Sequence, residues 1–155
     1  MSRVQLALRV ADLESSIAFY SAFFGVEPAK RRAGYANFAI AEPPLKLVLI
    51  EGAEGEETRI DHLGVEVGST AEVTTATVRL KEAGLATFEE KDTSCCYALQ
   101  DKVWAHGPGK EPWEVYVVKG DADTFGKSAA ESPATAGAAR ETGAAGAQAE
   151  CACGG

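Results

Sequence analysis

The chain has 155 residues, 46% of them hydrophobic and 25% charged, which is the size and composition of one globular domain with a real core. Its formal net charge of -8 argues against a nucleic-acid-binding face or an anionic membrane surface as the site of action. No apolar run approaches a membrane span, and Met1-Ser2-Arg3-Val4-Gln5 enters a strand with no signal-peptide pattern, so the expected location is the cytoplasm. There the four cysteines are expected to be reduced, which favours metal, metalloid or catalytic roles over stapling.

Val4 to Val10 alternates as a strand does. Asp12 reads as an N-cap for a helix whose apolar face carries Leu13, Ile17, Tyr20 and Phe24, and Gly25 is its stop signal. Strands are expected at 35–40 and 45–50, parted by Pro43-Pro44, and an acidic loop covers 51–57. The pattern then restarts with a strand at 61–67 and a helix from about 70 to 84, with Val73, Ala76, Leu80 and Ala83 inward. Strand pieces are expected at 86–90, 95–99 and 102–105, a turn at 107–110 and a closing strand at 113–118. Past about Thr124 the composition shifts to Ala, Gly, Ser, Thr and Glu, and 125–155 is expected to be a disordered tail. The tail's one chemical feature is Cys151-Ala152-Cys153, from which no catalytic role is expected.

The halves overlay. Val4 to Val10 matches Asp61 to Val67 at an offset of 57 residues, and Leu45 to Gly52 matches Trp113 to Gly120 at an offset of 68. The expected fold is α+β: two βαβββ modules, about 3–55 and 60–120, paired in one domain over 1–124. The larger second offset means extra chain in the second module, in the region of Cys95-Cys96. Added chain on a duplicated scaffold is a common seat of function.

The overlay sets Gln5 against His62 and Lys46 against Glu114. An amide oxygen, an imidazole nitrogen and a carboxylate meeting across a pseudo-twofold would leave open positions on a divalent transition metal. Taken singly, His62 reads as structural and Glu114 as an edge-strand residue facing solvent; the coincidence of positions favours the metal reading. Lys46, charged, is no ligand, and His106 beside Gly107-Pro108-Gly109 reads as a loop residue.

Adjacent cysteines make a poor disulfide but can grip one soft atom with two sulfurs. Either Cys can instead be a core residue. Neighbours on a strand face opposite ways, so both can face one site only across a loop or bulge, which Thr93-Ser94 makes plausible. Lys91 and Lys102 are close enough in sequence to favour a thiolate.

The duplicated modules, Val10-Ala11-Asp12, Phe19-Tyr20 and Gly107-Pro108-Gly109 with Pro112-Trp113-Glu114-Val115-Tyr116 resemble the vicinal oxygen chelate superfamily over roughly 3–120. That superfamily includes glyoxalases and extradiol dioxygenases, and it holds a divalent metal in the cup between paired modules. The segments 34–41, 43–49, 61–67 and 95–104 further resemble the organoarsenical carbon–arsenic lyases, relatives of cadmium-induced proteins. The resemblance implies an Fe(II)- and dioxygen-dependent enzyme that cleaves trivalent organoarsenicals, such as methylarsenite, to inorganic arsenite. It implies Gln5, His62 and Glu114 on the iron, replaceable by Ni, Co, Mn or Zn, and Cys95 and Cys96 on the arsenic. Gln5 departs from the His that many members carry. The remaining alternatives are a non-catalytic arsenite- or cadmium-binding thiol protein and another glyoxalase-like metalloenzyme. Expected partners are the arsenical and dioxygen, with the protein a monomer or homodimer.

Overall fold

A computed structural model describes residues 2–126. The elements run β1 (Arg3–Val10), α1 (Leu13–Phe24), β2 (Lys30–Arg32), β3 (Tyr35–Ile40), β4 (Leu45–Glu51), β5 (Arg59–Glu66), α2 (Thr70–Glu82), β6 (Phe88–Cys95), β7 (Ala98–His106) and β8 (Pro112–Asp121). One eight-stranded sheet has the order β2-β3-β4-β1-β5-β8-β7-β6. The two βαβββ modules therefore meet where β1 and β5 pair antiparallel, and each module's last strand lies parallel to its first. The α+β architecture expected from the sequence is the one observed.

Each helix covers the outer face of its own half. Asp12 caps α1, accepting the Ser15 N–H at 2.9 Å, and Gly25 ends it at φ 67, a left-handed conformation that glycine adopts without a Cβ clash. Leu13 and Ile17 are buried against Leu8, Val10, Ala36, Phe38, Leu47 and Leu49, with Tyr20 and Phe24 packed around them. Fully burying such side chains contributes about 1.5–3 kcal/mol each. The second module's core is thinner: Ser69 caps α2, and Val73 and Ala76 meet Val103 and Val117. Leu80 is only half-buried, and Ala83 is the exposed C-cap where burial was expected.

The hairpins differ from expectation. Residues 95–99 are not one strand piece: β6 ends at Cys95, β7 begins at Ala98, and Cys96-Tyr97 is a two-residue turn. The first module has the equivalent hairpin, β2–β3, turning at Ala33-Gly34. Its first strand, Lys30-Arg31-Arg32, escapes an apolar pattern search because an edge strand of three cationic residues carries none. The surplus in module two is thus a longer hairpin and not a loop that module one lacks. The packed chain also runs past 124, since Gly126 bridges Cys95 and Phe125 packs on Tyr35 and Tyr97. Cys151 and Cys153 lie outside the described residues.

Candidate active site

The inner face of the sheet carries polar side chains that are almost wholly enclosed. Gln5 (4% exposed), His62 (4%) and Glu114 (3%) come from β1, β5 and β8 and converge. Gln5 Nε2 is 2.9 Å from His62 Nε2 and 2.7 Å from Glu114 Oε1, and His62 Nε2 is 3.4 Å from Glu114 Oε1. Donors bound cis on a metal at bond lengths of about 2.1 Å stand about 3.0 Å apart, so this triangle has the dimensions of a three-donor face. Among the described residues no group of three His, Cys, Asp or Glu side chains is placed to hold a metal ion, so a three-donor set here would need the Gln5 amide oxygen. An imidazole, a carboxylate and an amide with open positions suit a divalent transition metal such as Fe(II).

Supporting groups fix these donors. Asp61 Oδ1 stands 2.7 Å from His62 Nδ1, which turns Nε2 toward the site, while Asp61 Oδ2 accepts from Arg9 at 2.7 Å. Burial alone would lower the His62 pKa, but the hydrogen bonds to Asp61 and Glu114 outweigh it and push it up to about 9. Burial opposes the Glu114 charge, yet Lys102 beside it holds the carboxyl well below the usual range. Lys102 Nζ donates to Glu114 Oε2 at 2.8 Å and lies over the Trp104 ring, 5.2 Å from its centroid. Both partners are nearly completely buried, so each is the other's main compensation.

The turn explains how adjacent cysteines face one way. Cys96 and Tyr97 have φ of 53 and 59, the paired left-handed conformation of a tight hairpin that normally selects Asn-Gly. Side chains larger than glycine are costly there, roughly 1–3 kcal/mol each. The result is Cys95 Sγ 3.3 Å from Cys96 Sγ. The turn is fastened by Cys96 N–H to the Phe125 carbonyl at 2.6 Å, Ala122 N–H to the Tyr97 carbonyl at 3.0 Å, and Lys30 Nζ to that same carbonyl at 3.1 Å. Cys95 is buried and Cys96 half-buried, beside the edge-on rings of Tyr35, Tyr97 and Phe125. The Cys96 hydrogen bond, with help from Lys102, lowers the Cys95 pKa to about 7, while the same bond and burial push Cys96 well up. Cys96 packs against the cluster of Ala7, Tyr35, Val48 and Ile50, and Ala7 follows Gln5 on the same face of β1, so the turn reaches the face of the sheet that carries the triad.

Three features escaped the sequence reading. The ladder pairs Gln5 with Lys46, Ala7 with Val48 and Gly64 with Glu114. Since the offset of 57 carries Ala7 onto Gly64, the module-one counterpart of Glu114 is Val48 and not Lys46. Lys46 instead donates to Glu66 and Tyr116, both at 3.1 Å. Gly64 is the second: a Cβ there would stand 3.1 Å from Glu114 Cγ and 3.3 Å from Gln5 Cβ. A glycine inside a strand is a signal of such close approach. Tyr116, fully buried among Gln5, Glu66 and Lys46, is the third. Lys91 and His106 are exposed, the latter at the end of β7.

Residues 3–126 match the family model of the Glyoxalase/Bleomycin resistance protein/Dioxygenase superfamily, and the chain belongs to that superfamily. It is 74% identical over 128 residues to a trivalent organoarsenical cleaving enzyme of Thermomonospora curvata, covering 83% of this chain and 85% of that one. It is 62% identical to the cadmium-induced protein CadI of Mycobacterium tuberculosis, covering 81% of this chain and 82% of that one. Among solved structures, the Mn(II)-bound glyoxalase of Novosphingobium aromaticivorans aligns with TM-score 0.57 and 23% identity over 80% of this chain and 42% of its own. An extradiol ring-cleaving dioxygenase of B. fuscum aligns with TM-score 0.56 and 20% identity over 79% of this chain and 34% of its own. Those two likenesses concern the fold.

Proposed function

Within this superfamily, we propose that the chain is an Fe(II)- and dioxygen-dependent carbon–arsenic lyase that converts trivalent organoarsenicals to inorganic arsenite. The observation that carries the reading is the placement of a two-sulfur turn and a triangle of Gln5, His62 and Glu114 on one face of the sheet. The 74% identity to an organoarsenical cleaving enzyme supports the substrate class.

The chain's own residues account for binding. Cys95, the better thiolate near neutral pH, attacks arsenic and displaces one hydroxyl. Cys96 then displaces the second, an intramolecular step favoured by high effective concentration. Sulfurs 3.3 Å apart, at bond lengths of about 2.3 Å, subtend about 90° at a central atom, which suits a pyramidal three-coordinate element. The third substituent, the carbon group, then projects away from the sulfurs. Tyr35, Tyr97 and Phe125 supply an apolar wall beside Cys96. Gln5, His62 and Glu114 would hold Fe(II), which supplies dioxygen activation when bound. Lys102 keeps Glu114 ionised and favours the Cys95 thiolate, and fixed donors on rigid strands hold the two halves of the site in register.

Replacing one sulfur tests this division. Cys96→Ser is expected to cut methylarsenite affinity by about 10²- to 10⁴-fold, through loss of the chelate, while Fe(II) affinity is unchanged. Loss of both together sinks the two-part site. The second reading, a cadmium- or arsenite-sequestering thiol protein, is favoured by the likeness to a cadmium-induced protein. It predicts stoichiometric binding without turnover.

A further inference from the structure

Gln5 is an ambiguous ligand, because only one end of its amide can bind a cation. Its Nε2 faces His62 Nε2 and Glu114 Oε1, and its Oε1 faces the Tyr116 hydroxyl at 2.5 Å. The same hydroxyl is 2.8 Å from Glu66 Oε2 and receives Lys46 Nζ at 3.1 Å. A hydroxyl has one proton, and here two oxygen acceptors compete for it. Glu66 is the stronger claimant: Lys46 and the Tyr116 hydrogen bond outweigh its burial and keep it ionised, and charge-assisted bonds are the stronger ones. Once the proton goes to Glu66, two oxygens are left facing each other across 2.5 Å.

Turning the amide by 180° removes that conflict. Nε2 then donates to Tyr116, Tyr116 donates to Glu66, and the Tyr116 oxygen accepts from both Gln5 and Lys46, so every proton has one destination. The turn also brings Oε1 to the position 2.7 Å from Glu114 Oε1 and 2.9 Å from His62 Nε2, where two oxygens repel unless a metal ion or the proton of a charged His62 lies between them. The two sides of the amide therefore want opposite orientations in the metal-free protein with His62 neutral, and a cation resolves the disagreement.

Resting on the metal reading above, we propose that Tyr116, held by Glu66 and Lys46, is a positioning residue that selects the oxygen-inward orientation of Gln5 and so makes this glutamine a metal ligand. Lys46, which cannot itself bind a metal while charged, takes part in the site by fixing the hydroxyl that aims the amide. Tyr116 is fully buried, and the network of Tyr116, Glu66, Lys46 and Arg3 crosses from β8 through β5 and β1 to β4.

The test is a double-mutant cycle read by metal binding. Co(II) affinity is measured by competition with a chromophoric chelator for the wild type, Tyr116→Phe, Gln5→Glu and the double variant. Glutamate has two equivalent oxygens and needs no aiming. Tyr116→Phe is expected to weaken Co(II) binding about tenfold beside Gln5 and less than twofold beside Glu at the same position. An equal loss in both backgrounds overturns the proposal, because it marks a general structural role. Failure of the wild type to bind Co(II) defeats the metal reading itself. A second measurement needs no variant. In the Zn(II)-loaded wild type, the Gln5 side-chain amide protons should show NOEs to the Tyr116 ring. Amide protons found near His62 after loading overturn the proposal.

Discussion

The two modules share a backbone plan and divide the chemistry unequally. At the positions related by the repeat, module one offers Gln5 and Val48 and module two offers His62 and Glu114. Their hairpin turns differ as sharply: Ala33-Gly34 uses a glycine for its positive φ, while Cys96-Tyr97 puts two side chains there at a cost in strain. The turns stay close, with the Tyr97 hydroxyl 3.5 Å from the Ala33 carbonyl. Duplication thus supplies a symmetric cup, and departures from symmetry supply the donors of the proposed metal site and the proposed sulfur clamp. Val48 matters because it ligates nothing. It joins Ala7, Tyr35 and Ile50 in an apolar cluster that Cys96 packs against.

The sharpest way to break the comparison is to truncate the two counterparts. Glu114→Ala leaves the Lys102 ammonium buried without its carboxylate, and is expected to cost about 3–5 kcal/mol in chemical denaturation and to abolish metal binding. Val48→Ala removes only apolar contacts. It should cost roughly 1–3 kcal/mol and leave metal affinity within about threefold. Comparable loss of metal affinity in both variants would mean that the functional asymmetry is wrong.

The next effect is on pH. A metal needs His62 Nε2 unprotonated, and the pKa of this ring in the metal-free site is raised to about 9. Protons therefore compete for the site at every pH below about 9. Metal affinity, measured calorimetrically, should fall about tenfold per unit as pH drops from 9 and level off above it. Asp61→Asn withdraws a group that raises the pKa, so the fall should begin at a lower pH. An affinity flat between pH 6 and 9 would contradict the role of His62.

Gly64→Ala is the smaller perturbation. Its Cβ would press on both Glu114 and Gln5, at 3.1 and 3.3 Å, and should reduce metal affinity about tenfold by spreading the donors, with the fold intact by circular dichroism. Ala7 already carries a Cβ at the repeat-equivalent place. That difference leaves room on module two for the carboxylate.

Much of this was legible in the sequence, and the reason is local. Asp12, the apolar spacing of Leu13 and Ile17 and the stop at Gly25 set α1 by themselves. The repeat of 57 residues brought Gln5 and His62 to notice because strand periodicity is preserved in both copies. What was hidden depends on register and backbone twist. The offset of 68 aligned Lys46 with Glu114, two residues away from the counterpart that the ladders give, and no pattern in either strand discloses that shift. The Cys96-Tyr97 turn was unreadable because it lacks the Asn and Gly that mark such turns. Partners such as Lys102 and Tyr116 are far from the residues they support until the sheet forms.

In the proposed reaction a sulfur clamp and an iron face on one side of the sheet together cleave carbon–arsenic bonds with dioxygen. Its most direct test is to load the protein anaerobically with Fe(II), add methylarsenite, and measure inorganic arsenite before and after admitting oxygen. The account predicts a bound arsenical and no arsenite without oxygen, then multiple turnovers of arsenite once oxygen enters. Arsenite release that proceeds equally without oxygen, or no release at all, would contradict it.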